Sequence, residues 1–316
     1  MGKRMKVLVA YDGSAYADAA LDDLRRAGLP GDAEALVVSV ADGLVSVHPS
    51  ADEVAGAMAT SRRVTSAIEL ARGQAERLLE ETREVAARAG GRLLWDFPGW
   101  EVQTKVLEGT PSWELLRAAE AWRPDLVVAG SQGRSALGRF FLGSVSEALA
   151  AGANGSVRIA RRVAGREGGA PPRIVVGIDG SPGARRAVRA VGLRVWPAGT
   201  EVRLVVVDDG SGPTRIAHIR PKLADLVTAC GEDEPVSARL MAEGAWAVLN
   251  ERGLNASVEI RDGDPRRVLA EEAHEWAADS IFVGSHGLDN PGEGSGLGTV
   301  STALLRNAAC SVEVVR

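Results

Sequence analysis

Short apolar runs alternate with longer stretches whose apolar residues return every three or four positions, and the alternation continues along the whole chain. In the first half, the runs at 6–11, 35–41, 101–107, 125–130 and 156–160 are brief and β-branched, as fully buried parallel strands tend to be. The stretches between them read as helices. Residues 14–28 place Ala17, Ala20, Leu21 and Leu24 on one stripe, and residues 64–89 carry Val64, Ile68, Leu78, Leu79 and Val85. Pro111 stands at a favoured first helical position. Arg62, Arg63, Glu80, Glu81 and Arg83 read as a solvated helix face.

The second half gives the same order, with runs at 173–178, 201–207, 256–261, 280–284 and 311–315 and a helix from Ala238 to Arg252. Residues 209–235 hold Gly, Pro and acidic clusters, which predict a loop in place of part of the long helix. The expected fold is α/β: two tandem doubly wound, Rossmann-like domains, each with a five-stranded parallel sheet.

The two halves also correspond residue by residue. Lys6-Val-Leu-Val-Ala-Tyr-Asp12-Gly13-Ser14 answers Arg173-Ile-Val-Val-Gly-Ile-Asp179-Gly180-Ser181. Asp125-Leu-Val-Val-Ala-Gly130-Ser131-Gln132-Gly133 answers Asp279-Ser-Ile-Phe-Val-Gly284-Ser285-His286-Gly287, and Val157-Arg-Ile-Ala-Arg161 answers Val312-Glu-Val-Val-Arg316. A Gly- and Pro-rich segment separates the copies, so the expected domains are 1–161 and 173–316 with a linker at 162–172.

A length of 316 residues suits two such cores. The net charge of −5 comes from interleaved acids and arginines, which leaves no basic face for a nucleic acid. No run is long enough for a membrane span, and the basic start leads into a strand rather than a signal peptide, so a cytoplasmic protein without a membrane partner is expected. Cys230 and Cys310 are too few for a disulfide framework or a cysteine zinc site. His48, His218, His274 and His286 lack metal-ligand spacing, and His286 is expected to be a solvated loop residue. The seven tryptophans, among them Trp113, Trp122 and Trp276, are expected in core or interdomain packing.

Candidate chemistry lies where strands end, because ligands of open parallel sheets sit beyond the carboxyl ends at the switch of winding direction. Asp12 and Asp179 close the first strand of each half, where a carboxylate can receive ribose hydroxyls or cap the next helix. After the fourth strand, Gly130 and Gly133 let backbone approach an anion, and Gly143-Ser144 at a helix start offers backbone N–H groups. Arg134 and Arg139 add positive charge. None of the four lysines stands in a P-loop, and neither half has the dinucleotide glycine pattern after its first strand.

The spacing Gly, two residues, Gly, nine residues, Gly-Ser, together with Asp12 and the Glu108-Gly109-Thr110-Pro111 segment, resembles the ATP-binding signature of the universal stress protein family. The resemblance covers nearly the whole chain as two copies. It implies a site for ATP, or another adenine nucleotide, with Mg as a companion ion and no metal held by the protein itself. Ala10, Tyr11, Asp12 and Val40 would take ribose and adenine; Gly130, Ser131, Gly133, Arg134, Gly143, Ser144, Val145 and Ser146 would take ribose and phosphates. The corresponding set in the second half is Asp179, Val207, Gly284, Gly287, Gly298, Thr299, Val300 and Ser301. There ten residues separate Gly287 from Gly298, and they include Asp289, Pro291 and Glu293 but no arginine, so phosphate is disfavoured and weak or absent binding is expected.

The resemblance implies an ATP-binding stress-response regulator with at most slow, incidental hydrolysis, acting on a protein partner that the sequence does not name. The alternative is a protein-interaction module of the same fold that binds no nucleotide, its halves forming an intramolecular version of the family's dimer through their fifth strands or last helices. Adenine nucleotide α-hydrolase chemistry would require a Ser-Gly-Gly-x-Asp-Ser loop, which the chain lacks. A monomer and a homodimer of tandem chains both remain open.

Overall fold

The computed structural model describes residues 3–42, 62–133, 142–162, 169–208, 238–287 and 296–316. In the first half the order is β1 (Met5–Ala10), α1 (Ala15–Leu24), β2 (Ala33–Ala41), α2 (Arg62–Asp96), β3 (Glu101–Glu108), α3 (Pro111–Trp122), β4 (Leu126–Gly130), α4 (Ser144–Gly152) and β5 (Ser156–Ala160). The second half repeats it with β6 (Arg173–Ile178), α5 (Pro182–Leu193), β7 (Glu201–Asp208), α6 (Ala238–Glu251), β8 (Asn255–Asp262), α7 (Pro265–Glu275), β9 (Ser280–Gly284), α8 (Thr299–Asn307) and β10 (Ser311–Val315).

Local chemistry sets the turns. Gly13 and Gly180 take φ of 77° and 85°, and Ser14 and Ser181 then cap α1 and α5, accepting from Ala17 and Ala184 N–H. Pro111, Pro182 and Pro265 open α3, α5 and α7, where a missing N–H costs nothing.

All ten strands form one sheet in the order β3-β2-β1-β4-β5-β10-β9-β6-β7-β8. Pairing is parallel within each half, and β5 meets β10 antiparallel. The carboxyl ends of the two five-stranded units therefore point in opposite directions along the strands. Period-two alternation splits each strand between two layers. Leu8, Leu36, Val157 and Ile159 join Val175, Leu304, Val312 and Val314 in one core that runs through both halves. On the other face, Val7, Val9 and Leu21 form a core of the first half, and Ile174, Val176 and Leu204 form a separate core of the second.

Between those two separate cores lies a buried row of charges. Arg158 on β5 donates to Asp23 on α1 at 2.5 and 3.0 Å and to Glu313 on β10 at 3.2 Å. Arg194, at the end of α5, completes the row through Glu313 and donates to the Ala27 carbonyl at 2.7 Å. Burial opposes the charge on Arg158, but Asp23 and Glu313 more than offset it, so its pKa is raised. The arginines that end β5 and β10 cross the seam in return: Arg161 donates to the Leu305 carbonyl at the end of α8, and Arg316 donates to Ala150 at the end of α4 at 2.5 Å.

Three expectations change. The third strands are not fully buried, because β3 and β8 are the two edges of the sheet and carry mostly exposed side chains. Trp113, Trp95 and Trp246 are not packing residues: Trp113 sits in the first turn of α3, away from the Leu115, Ala118 and Ala119 face, and is 70% exposed, and Trp95 on α2 and Trp246 on α6 are exposed as well. Trp122 and Trp276 do pack against the core, with Lys6 5.1 Å from one ring and Arg203 4.1 Å from the other. The first helix stops at Leu24, short of residue 28: Arg26 and Ala27 N–H turn to the Asp23 and Leu24 carbonyls three residues back, and Gly28, against Trp196 of the other half, takes φ of +63°. Glu80, Glu81 and Arg83 are exposed as expected. Cys230, His48, His218, the predicted 209–235 loop and most of the 162–172 linker lie outside the described residues.

Two measurements follow from this packing. A Cβ on Gly28 would stand 2.5 Å from the Trp196 ring, so Gly28→Ala combines a left-handed backbone with overpacking. Urea unfolding should show a loss of about 2–4 kcal/mol, and an unchanged midpoint would contradict the contact. The Tyr11 phenol donates to Asp18 at 2.6 Å, and burial followed by Asp18 pushes its pKa up to about 12. The linked stability is fully present below the unfolded value of about 10 and is lost as pH rises through the folded one. Ultraviolet titration of Tyr16→Phe, which leaves Tyr11 as the one phenol, should show ionisation near pH 12; a midpoint near 10 would refute it.

Candidate functional site

The winding direction reverses between β1 and β4, and a cavity of about 530 Å³ opens there at the carboxyl edge of the first half. Ala10, Val38 and Val40 form part of its apolar wall. Ala10 lies opposite Val38 in the β1–β2 register, and Val40 repeats the same face two residues on. Leu115 of α3 and Leu78 of α2 add apolar surface, while Thr82, Thr110 and Ser112 add hydroxyls.

Asp12 stands at the end of β1. Its Oδ1 accepts from Ser14 N–H at 2.9 Å, and Ser14 rather than Asp12 caps the helix. Its Oδ2 faces Gly133, where a Cβ would approach it to 3.0 Å. Opposite, Gly143 is the N-cap of α4 and supplies no side chain to the helix's first N–H groups. Its own N–H donates to the Ser131 carbonyl at 2.8 Å, which joins the two glycine corners.

Of the residues singled out from sequence, Ala10, Tyr11, Asp12, Val40, Gly130, Gly133, Gly143, Ser144, Val145 and Ser146 all line this one cavity. Several do so through the frame rather than through a reactive side chain. The Tyr11 phenol is engaged with Asp18. Gly130 is required by packing, since a Cβ there would stand 2.6 Å from the Tyr16 backbone in α1. The Ser146 hydroxyl donates to the Gly130 carbonyl at 2.6 Å and ties α4 to β4. Ser131 is buried behind the wall, its N–H on the Ala160 carbonyl at 3.2 Å. Arg134 and Arg139 lie outside the described residues.

Sequence reasoning passed over Asp42, Leu78, Thr82, Ser112 and Leu115. Asp42 carries the signal that selected Asp12, a carboxylate just beyond a buried strand. Leu78 and Thr82 share one helix stripe four residues apart, and a hydroxyl on the apolar face of α2 was the available clue.

The second half keeps the same frame. Ser181 N–H donates to Asp179 Oδ1 at 2.9 Å, Gly298 N–H to the Ser285 carbonyl at 2.8 Å, and the Ser301 hydroxyl to the Gly284 carbonyl at 2.7 Å. Its corner is tighter, because a Cβ on Gly287 would come within 2.6 Å of Asp179 Oδ2. Thr299 is exposed at the start of α8, and Val207 and Val300 are half-buried against the shared core. His286 is half-buried rather than solvated, with Nδ1 3.1 Å from Ser285 Oγ. Asp289, Pro291 and Glu293 lie outside the described residues.

Among the described residues no helix is long and apolar enough to cross a membrane. A universal stress protein of Mycolicibacterium smegmatis is 27% identical, over 98% of this chain and 96% of its own length. The crystal structure of a universal stress protein from Archaeoglobus fulgidus superposes with a TM-score of 0.62 at 20% identity, covering 98% of this chain and 96% of that one. A functionally unknown protein from Pseudomonas aeruginosa has the same fold at a TM-score of 0.54 and 14% identity, covering 99% and 92%. The model of the universal stress protein family matches twice, over residues 3–161 and 172–316, and the chain therefore belongs to that family as two of its domains in tandem.

Proposed function

We propose that the first half binds ATP, or a closely related adenine nucleotide, as a signal in a stress response. The observation that carries this reading is the cavity at the β1–β4 switch, whose volume of about 530 Å³ suits a small ligand. Its parts divide by chemistry. The Val38, Val40 and Leu115 wall suits a base, and the Asp12 carboxylate suits ribose hydroxyls. The uncapped start of α4 at Gly143, followed by Ser144 and Val145, suits phosphates through backbone N–H groups and the helix dipole. Gly133 and Gly143 supply the close backbone approach that a side chain would fill.

Binding rather than turnover is the role this lining serves. Lys3, Lys6 and Lys105 are absent from the wall, which offers carboxylates, hydroxyls and backbone amides. Occupancy would change which protein the chain engages, and any hydrolysis would be slow and incidental. The second half is the weaker site, given its tighter Gly287 corner and the Asp289 and Glu293 carboxylates of its loop.

Mass spectrometry of nucleotide released from undialysed protein should find about one adenine nucleotide per chain. Two per chain would mean that the second half also binds. None, with no rise in melting temperature on adding ATP, would leave the nucleotide-free interaction module. Gly133→Asp should abolish binding in calorimetry with the fold intact, because it sets a second carboxylate against Asp12 where phosphate would pass. Unchanged affinity would remove the glycine corner from the site.

A further inference from the structure

The fifth strands of the two halves correspond position by position, with Arg158 in the place of Glu313. Across the seam Ile159 lies opposite Val312, Arg158 opposite Glu313 and Val157 opposite Val314. By the correspondence, first position faces third and second faces second. The central pair is thus the one place in the register where a symmetric pairing would set a residue against its own equivalent. Two first halves would bring Arg158 onto Arg158, and two second halves would bring Glu313 onto Glu313. Both side chains have 0% exposure, so water could not separate them.

The residues behind the pair carry the same asymmetry in reverse. Asp23 neutralises Arg158 from its own half, and Arg194 neutralises Glu313 from its own half. Neither partner is duplicated. Ala190 stands as far beyond Asp179 as Asp23 does beyond Asp12, and Ala27 as far beyond Asp12 as Arg194 does beyond Asp179. Along this row each half is therefore neutral by itself and differs from the other only in order, with the cation on the strand in the first and on the helix layer in the second.

We propose that this order is a polarity key that selects the partner of each fifth-strand edge, admitting the opposite half of this chain and refusing a second copy of the same half. First against second, the row reads Asp23, Arg158, Glu313, Arg194, with alternating signs. Like halves would keep every internal ion pair and still place two equal charges at the buried centre, which is destabilising for directly opposed strand residues. The apolar flanks Val157, Ile159, Val312 and Val314 contribute no such discrimination, being alike in both halves.

The test reverses the order within the full-length chain while preserving each internal pair. Asp23→Arg with Arg158→Asp makes both halves read alike, as does Glu313→Arg with Arg194→Glu. Each reversal alone should lower the melting temperature by about 10 °C, and all four substitutions together should restore most of it. The two single-half reversals mixed in equal amounts should pair between chains, seen as a one-to-one heterodimer by native mass spectrometry. Reversals that leave the melting temperature unchanged, or a fourfold variant no better than either, would overturn the key. Should the reversed chains not fold, Arg158→Gln, Glu313→Gln and their combination in the wild-type chain decide it. A double variant less destabilised than the sum of the singles supports the key, and additive singles overturn it.

Discussion

An open five-stranded sheet ends in a row of unsatisfied backbone groups, and the antiparallel meeting of β5 with β10 removes two such edges at once. Much else follows from it. The seam sets the order of the ten strands and continues one apolar core across both halves, because Val157 and Ile159 meet Val312 and Val314 on the same face. It also points the carboxyl ends of the halves in opposite directions along the strands. The two crevices cannot share one ligand, and each must be built from its own half.

The opposite face of the same seam is ionic, and there the energetics differ. Desolvating four charged groups costs several kcal/mol per ion, which the mutual attraction offsets only when the geometry is good. Here it is good: Arg158 uses two nitrogens on Asp23 and a third contact on Glu313, Ser311 donates to Asp23 at 2.8 Å, and Phe282 lies under both Arg158 and Arg194 at 5.8 and 5.0 Å. An apolar seam of equal volume would hold as firmly. What the charges add is discrimination, since a wrong pairing keeps the desolvation cost and loses the central attraction.

Much of this was legible in the sequence because it depends on local periodicity and on repetition. Ten short runs gave ten strands, and the paired motifs gave two equivalent halves, in the first of which Gly130, Gly133, Gly143 and Asp12 converge on one cavity. What escaped reading depends on sheet order, which a single strand does not encode. β3 and β8 are the exception, because Glu101, Gln103 and Lys105, and Glu259 and Arg261, alternate with their apolar residues and mark partly exposed strands, whereas Trp113 sits on a helix whose packed face could not be chosen without knowing its neighbour. The same holds for Leu78 and Thr82, which reach the cavity from α2 only because of where that helix lies. Gly130 shows the opposite case: the right residue, but required by the Tyr16 backbone behind it.

Helix α4 joins the seam to the crevice. Its nine residues span about 13 Å, with the uncapped Gly143 end on the cavity and the other end at the boundary between halves. There Arg316 of the second half donates to the Ala150 carbonyl, while in the first turn of the helix Glu147 pairs with Arg306 of α8 at 2.5 Å. A cation at the carbonyl end complements the helix dipole just as an anion would at the amide end. The Ser146 hydroxyl on the Gly130 carbonyl fixes the helix to β4 between those two points. The element that closes the first half's crevice is thus held at one end by its own strand and at the other by the second half, so the second domain contributes to the crevice's geometry through α4, while the described residues of the cavity wall all come from the first half.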